Sequence, residues 1–518
     1  MRSTLVLCVT LGVLSPVSRA QERIWYADGT KDMEGFGTAF DFVQDLDADG
    51  LKELLIGVPG RYCSSTNLPD GVADLFSIPG GQLNEWCGEE ELLGNTVTAL
   101  GDVDLDGVDD LMLGAPSYDD PSLGSDSGRV FVISARTGAQ LLEVRGNDPG
   151  IAFGNAIAGL PDYDGDGYPE MLVAACGYSS ARGEVYVLST KDGSTLRRYE
   201  GAADGFRYGS NVAALGDVDA DGVSDYAIQA WLNFFGGGQK GRVYVYSGAT
   251  GALLWKVTGI ANSDRLGTSI ADGGDIDGDG HADVLCGGEI GLSTNGHLDA
   301  YSGTTGALLL RIEGDQVGER FGYSCDMVGD ANGDGVGDYL AGAIANKHDG
   351  NNAGRATLFS GKTLRPIYTF YPGYNGAGFG WKVRGGFDFN HDGINDFVIS
   401  APYSRNYPPK GGRVSIFAGN DLYLQADESN PLPGDFVTFD TRGGAPGSFA
   451  ELVLVDINGT LMFAPLDYGF LDANGELAST LCVPDDASGL EFTLISYAVK
   501  LTHRPKWNDS SPVVISVQ

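Results

Sequence analysis

One nine-residue pattern carries most of the chemistry in this sequence. It reads acid, any, acid or Asn, any, Asp, Gly, any, any, acid, and it occurs seven times. The first four copies place Asp45, Asp47, Asp49 and Glu53; Asp102, Asp104, Asp106 and Asp110; Asp162, Asp164, Asp166 and Glu170; and Asp217, Asp219, Asp221 and Asp225. The last three place Asp275, Asp277, Asp279 and Asp283; Asp330, Asn332, Asp334 and Asp338; and Asp388, Asn390, Asp392 and Asp396. Side chains at alternate positions converge on one point when the glycine lets the backbone turn sharply. The seventh carbonyl and the ninth carboxylate can then complete a shell of about 6–8 oxygens, which is what Ca²⁺ takes. No His or Cys stands at a ligand position, which argues against zinc and copper. An EF-hand needs Glu at position twelve, where this chain has Ile56 or Leu113. The expectation is calcium, up to seven ions.

The charge balance points the same way. The chain has 33 Lys and Arg against 70 Asp and Glu, a net charge of −37. Such a chain is a poor partner for a phosphate backbone or an anionic membrane surface. Much of the acidity sits in the seven loops. Without a cation, each loop holds like charges a few ångström apart, which raises carboxylate pKa values. Binding free energy there becomes folding free energy.

The elements that must position these loops recur with them. The copies start 55 to 60 residues apart. Nine residues before each stands a large apolar residue followed by Gly: Phe36, Leu93, Phe153, Tyr208, Leu266, Phe321 and Phe379. After each loop comes a short apolar run, as at 53–57 and 110–114. An alternating run follows, as at 241–246, then a Gly-rich turn and a last run, as at 252–257. These read as four short strands per unit, with no sustained helical period. Seven four-stranded units suit an all-β, seven-bladed β-propeller. Trp25 precedes Asp45 by the same 20 residues that separate Trp255 from Asp275. Residues 22–26 therefore read as a fourth strand that completes the seventh blade and removes both open edges.

The chain of 518 residues divides into three segments on this reading. Residues 1–20 read as a secretion signal, with Arg2, a short apolar run and small residues before a cleavage site. Residues 21–420 form the propeller. Residues 421–518 carry short alternating strands and suggest a β-sandwich of immunoglobulin-like type. An exported chain meets an oxidising compartment, and Cys63 and Cys87 are the best candidate disulfide.

The aromatic–Gly step, the acidic loop and the step Gly114-Ala115-Pro116 together resemble the FG-GAP repeat of integrin α-subunit heads and of secreted bacterial FG-GAP proteins. The resemblance covers about residues 22–419. It implies a seven-bladed propeller with calcium on the loops joining the first and second strands, and a role in adhesion or ligand binding. Integrin heads carry the loop in only some blades, whereas all seven have it here, which favours a structural role for the ion. The Gly-Ala-Pro step is lost in blades three to six.

A ligand site is expected on the face opposite the acidic loops, where loops are richer in aromatics. Trp231, Phe234, Phe235, Tyr371, Tyr374 and Tyr403 are the candidates, set against the alternative that they cap blade cores. The partner class is an extracellular protein or carbohydrate. No catalytic motif stands out, so binding is favoured over a polysaccharide hydrolase or lyase at the propeller mouth.

Overall fold

The computed structural model describes residues 23–419, apart from 32–33, 64–69, 79, 89–90, 178–181, 202–206, 232–239, 261–263, 290–294, 332–335, 392–394 and 404–410, and beyond these the backbone of strands between 423 and 516. The described residues contain strands and turns and no helix, so no helix is long and apolar enough to cross a membrane.

Seven four-stranded antiparallel sheets make seven blades. Blade 1 pairs Ala39–Val43, Glu53–Val58, Val72–Ser77 and Gly81–Cys87 in sequence order. Blades 2 to 6 repeat this order over 96–145, 153–200, 208–258, 266–313 and 321–370. Blade 7 has three strands from 383–417, and its fourth is Arg23–Asp28 from the other end of the described chain. Trp25 pairs with Ile416, and Arg413 pairs with Asp28.

The apolar alternation places the core between blades. Seven buried clusters fill seven seams, one for each pair of neighbours. In the seam between blades 2 and 3, Leu100, Met112 and Val132 meet Phe153, Met171 and Val173. In the closing seam, Val398, Val414 and Ile416 of blade 7 meet Phe36, Phe40 and Ile56 of blade 1. Second strands are buried on both faces, which is why they read as unbroken apolar runs.

The aromatic–Gly step follows from this packing. The large side chain, aromatic in five blades and Leu93 or Leu266 in the other two, enters the seam, and the Gly turns the chain at φ of 79° to 88° in all seven blades, from Gly322 to Gly154 and Gly267. Side chains avoid that region of backbone space. A Cβ on Gly94 would also lie 2.3 Å from the Val72 carbonyl oxygen. A disulfide joins Cys63 to Cys87, tying the loop between the second and third strands of blade 1 to its outermost strand.

The C-terminal strands form a three-stranded sheet and a second sheet built around Phe449–Ile457 and Glu491–Lys500.

Candidate functional site

Each acidic loop joins the first and second strands of its blade, and its own backbone folds it. The first carboxylate accepts from the N–H of the loop glycine: Asp45 from Gly50, Asp102 from Gly107, Asp162 from Gly167 and Asp217 from Gly222, each at 2.8 Å, and Asp275 from Gly280 at 3.0 Å. The fifth carboxylate accepts from the seventh N–H, as Asp106 does from Val108. The fourth residue takes positive φ, whether Ala48, Leu105, Ala220 or His391. The loop is thus wound around a centre before any ligand is considered.

The ninth carboxylate is the surprise. Glu53, Asp110, Glu170, Asp225, Asp283, Asp338 and Asp396 are all fully buried. Each accepts from the N–H of the second loop residue, as Asp225 does from Val218 at 2.7 Å and Asp338 from Ala331 at 2.9 Å. In the Asp blades the other oxygen reaches past the loop to the chain just after the third strand. Asp110 takes Ala135 N–H, Asp225 takes Gly248, Asp283 takes Gly303, Asp338 takes Gly361 and Asp396 takes Gly419. Spacing alone assigns this residue one role, as a ligand. The structure adds a second, as a staple between two ends of the blade.

Carboxylate oxygens converge within 4.8 Å of one another in sets that include Asp45, Asp47 and Glu53; Asp102, Asp104 and Asp110; Asp162, Asp164, Asp166 and Glu170; and Asp217, Asp219 and Asp225. The fifth position joins its set in blade 3, as Asp166. Elsewhere it also looks outward: Asp106 pairs with Arg136 at 2.9 Å, and Asp279 accepts from Thr304 at 2.8 Å. Asn332, Asp334 and Asp392 lie outside the described residues. Asp330, Asp388 and Asn390 lie at the start of the last two loops.

The electrostatics favour a cation. Burial pushes the Glu53 and Glu170 carboxyls up to about 7, opposed by the N–H groups of Leu46 and Tyr163 and assisted by the neighbouring loop charges. Burial likewise lifts Asp110 and Asp225 to about 6. Glu170 Oε2 accepts from Tyr163 N–H, while Oε1 is buried with no hydrogen-bond partner. A buried carboxylate oxygen left so is costly. An all-oxygen set with one unsatisfied member fits a hard divalent cation.

On the propeller axis, the inner strands of all seven blades surround a cavity of about 840 Å³. Each inner strand starts at the aromatic–Gly step and runs to its acidic loop, so the two ends of the cavity differ in composition. Near the loop end stand Asp41, Asp326, Lys382 and Arg384, with Arg384 donating to Asp41 at 2.6 Å. At the opposite end stand Trp231, Arg265, Glu289, Arg320, Tyr323 and Trp381.

Of the aromatic candidates, Trp231 lines this cavity, and Tyr403 packs edge-on to Trp381 at 4.8 Å. Tyr371 stacks instead on His348, and Tyr374 packs against the core between blades 6 and 7. Phe234 and Phe235 lie outside the described residues. Reading loops alone misses Arg207, Arg265 and Arg320. Their signal is positional: each immediately precedes the aromatic–Gly step, in blades 4, 5 and 6.

Comparison with known proteins follows the same repeats. A family model described as FG-GAP repeat matches residues 94–133, 153–188 and 379–417, which lie in blades 2, 3 and 7. Integrin alpha pat-2 of Caenorhabditis elegans is 30% identical over 233 residues, covering 39% of this chain and 18% of that protein. Integrin alpha-E of Homo sapiens is 34% identical over 200 residues, covering 34% of this chain and 16% of that protein. The matched stretch is therefore less than a fifth of either relative's length. Among solved structures, the Dos1 propeller superposes with a TM-score of 0.41 at 11% identity, covering 77% of this chain and 95% of that one. With blades built on the aromatic–Gly step and the repeat model placed on three of them, the chain carries FG-GAP repeats, and its β-propeller is similar to integrin α-chains.

Proposed function

We propose that this chain is an exported, calcium-stabilised propeller that binds an extracellular protein or carbohydrate as an adhesion or recognition protein. The buried, unsatisfied oxygen of Glu170, set among Asp162, Asp164 and Asp166, carries the calcium part. The residues that would hold calcium are the first, third and fifth side chains of each loop, the seventh carbonyl and the ninth carboxylate. When bound, the ion supplies positive charge that offsets the clustered carboxylates. The chain's own part is to prefold the loop on its first carboxylate and to fix the loop to its blade through the ninth.

Similarity to integrin α-chains supports the binding role, and the Cys63–Cys87 disulfide suits an oxidising compartment. Residues 1–20 serve as the export signal on this reading. The propeller spans 21–420, and 421–518 forms a separate β-sandwich.

The test is a calcium titration by calorimetry together with melting in CaCl₂ and in EDTA. Saturation at 100 times Kd adds about 2.7 kcal/mol for one site. We expect heat of binding and a clearly higher melting temperature in calcium. Equal melting in both buffers with no heat would reject the reading.

A further inference from the structure

The cavity end opposite the acidic loops is built from cations and aromatic rings, in a chain whose net charge is −37. Arg207, Arg265 and Arg320 occupy the same position in three adjacent blades. All three hold positive φ, at 51°, 49° and 61°. The equivalent residues in the other blades are Gly35, Leu92, Ala152 and Gly378, so one side of the mouth is cationic and the other is not. A bulky side chain in that backbone region carries strain. Leu92 and Ala152 hold the same positive φ, so the backbone position itself does not call for arginine.

Arg265 and Arg320 each pair with Glu289 at 2.6 Å, and Glu289 is 2% exposed. One carboxylate thus faces two guanidinium groups. Trp231 lies between two of the arginines, its ring 5.6 Å from the Arg207 guanidinium and 5.3 Å from that of Arg265. Arg320 lies 5.1 Å from the Tyr323 ring, and Tyr323 packs on Trp381 at 4.7 Å. Arginine offers planar, bidentate recognition of carboxylate. Flat rings beside it offer faces for the C–H side of a pyranose.

We propose that this mouth binds an acidic polysaccharide of uronate type, with carboxylates on Arg207 and Arg320 and sugar rings against Trp231 and Trp381. The inference rests on the ligand-binding reading above and names its ligand class. The strongly acidic remainder of the surface repels such a chain and leaves the mouth as its complementary site. Rings alternating with arginines favour a sugar acid over an acidic peptide, which has carboxylates and no stacking face.

The experiment uses the full chain in fixed CaCl₂ and measures binding of hexagalacturonate, its methyl-esterified form and hexaglutamate by calorimetry. Hexagalacturonate is expected to bind, more weakly as salt rises. Esterification, Arg207→Gln and Arg320→Gln are each expected to weaken it by roughly tenfold or more, the scale of a lost charge-assisted pair. Unchanged melting of the two variants in calcium would show that the loss is local. If Arg320→Gln fails to fold, Arg207→Gln and the ester comparison still decide. Equal binding of the esterified sugar, or equal binding of hexaglutamate with the same arginine dependence, overturns the proposal. Absence of hexagalacturonate binding overturns it too. If calcium still raises the melting temperature and a neutral-glycan or matrix-protein array still captures the chain, the ligand-binding reading survives that failure.

Discussion

Ser324 Oγ donates to the carbonyl oxygen of Gly380 at 2.8 Å, across the seam between blades 6 and 7. The same bond recurs around the ring. Thr96 reaches Gly154 and Ser269 reaches Gly322 with hydroxyls, while Asn155 reaches Gly209 and Asn211 reaches Gly267 with longer amides. The acceptor is always the Gly of the next aromatic–Gly step. Where the donor is a hydroxyl, the strand residue paired with it is glycine: Gly114, Gly287 or Gly342. Where the donor is an amide, the corresponding residue is Ala174 or Gln229. Glycine lets neighbouring blades approach until a short hydroxyl spans the gap. A side chain holds them apart, and the longer amide takes over.

Gly342 is therefore expected to be coupled to Ser324. A Cβ at 342 would lie 2.0 Å from the Gly380 oxygen, so Gly342→Ala must open the seam. We expect a loss of about 3 kcal/mol, at the upper end for overpacking. Ser324→Ala removes one hydrogen bond and should cost about 1 kcal/mol. The double change Gly342→Ala with Ser324→Asn should recover part of the first loss, by more than about 0.5 kcal/mol. Urea midpoints in saturating calcium measure all three, and simple additivity would refute the seam argument.

The third and ninth acids of a loop should fail differently. Asp277→Ala removes a candidate ligand and should lower the melting temperature in calcium but not in EDTA. Asp283 is bonded to the N–H groups of Ile276 and Gly303, each at 2.8 Å. Asp283→Ala orphans two backbone donors and should cost about 2–3 kcal/mol with or without calcium. Melting both variants in both buffers separates the roles. Equal shifts for Asp277→Ala in the two buffers would mean that its loop holds no ion.

What could be seen in advance follows from what repeats. The acidic loops and the aromatic–Gly step show in the chain because backbone geometry demands one residue type at a fixed spacing. Gly37 in blade 1 and Gly380 in blade 7 both hold φ of 85° for the same reason. Spacing marks Asp283 as a candidate ligand and cannot reveal its second partner, the Gly303 amide that returns to it from 20 residues away. Arg207, Arg265 and Arg320 look unrelated until ring closure brings three blades side by side. Tyr371 and Tyr374 look alike in sequence, yet one stacks on His348 and the other packs against a core, a difference set by tertiary packing.

Asp326 gives the cavity a dependence on pH. Burial pushes its carboxyl up to about 6, against the pull of Arg384 and the Gly385 N–H. An acid whose folded pKa lies above its unfolded value of 3.8 favours folding while protonated. Its contribution is highest below about pH 4 and is lost as pH rises through about 6. Asp326→Asn should therefore gain about 1–2 kcal/mol over the parent at pH 7.5, allowing for screening by water in the cavity. The gain should vanish near pH 4. The difference between the two proteins is the quantity to follow, because the other carboxylates titrate in both. A constant difference across that range would show that Asp326 is ionised throughout.

The closing strand makes the last prediction. Arg23–Asp28 covers the edge of Arg413–Phe417, and Trp25 packs into the seam between blades 7 and 1, 5.9 Å from the Phe76 ring. Arg413 grips Asp28 through two bonds at 2.6 and 2.8 Å. That ion pair is partly exposed, so Arg413→Ala should cost no more than about 1 kcal/mol. Trp25→Ala empties part of a core and should cost about 3 kcal/mol. Removing residues 1–29 does more, because it bares a strand edge and a hydrophobic seam together, the combination that drives edge-to-edge association. The shortened chain should elute as oligomers and melt lower, and a synthetic peptide of residues 21–30 should restore a monomer by occupying the vacant edge. A shortened chain that stays monomeric with unchanged melting would show that closure contributes nothing to stability, and the ring would have to be held by its other six seams.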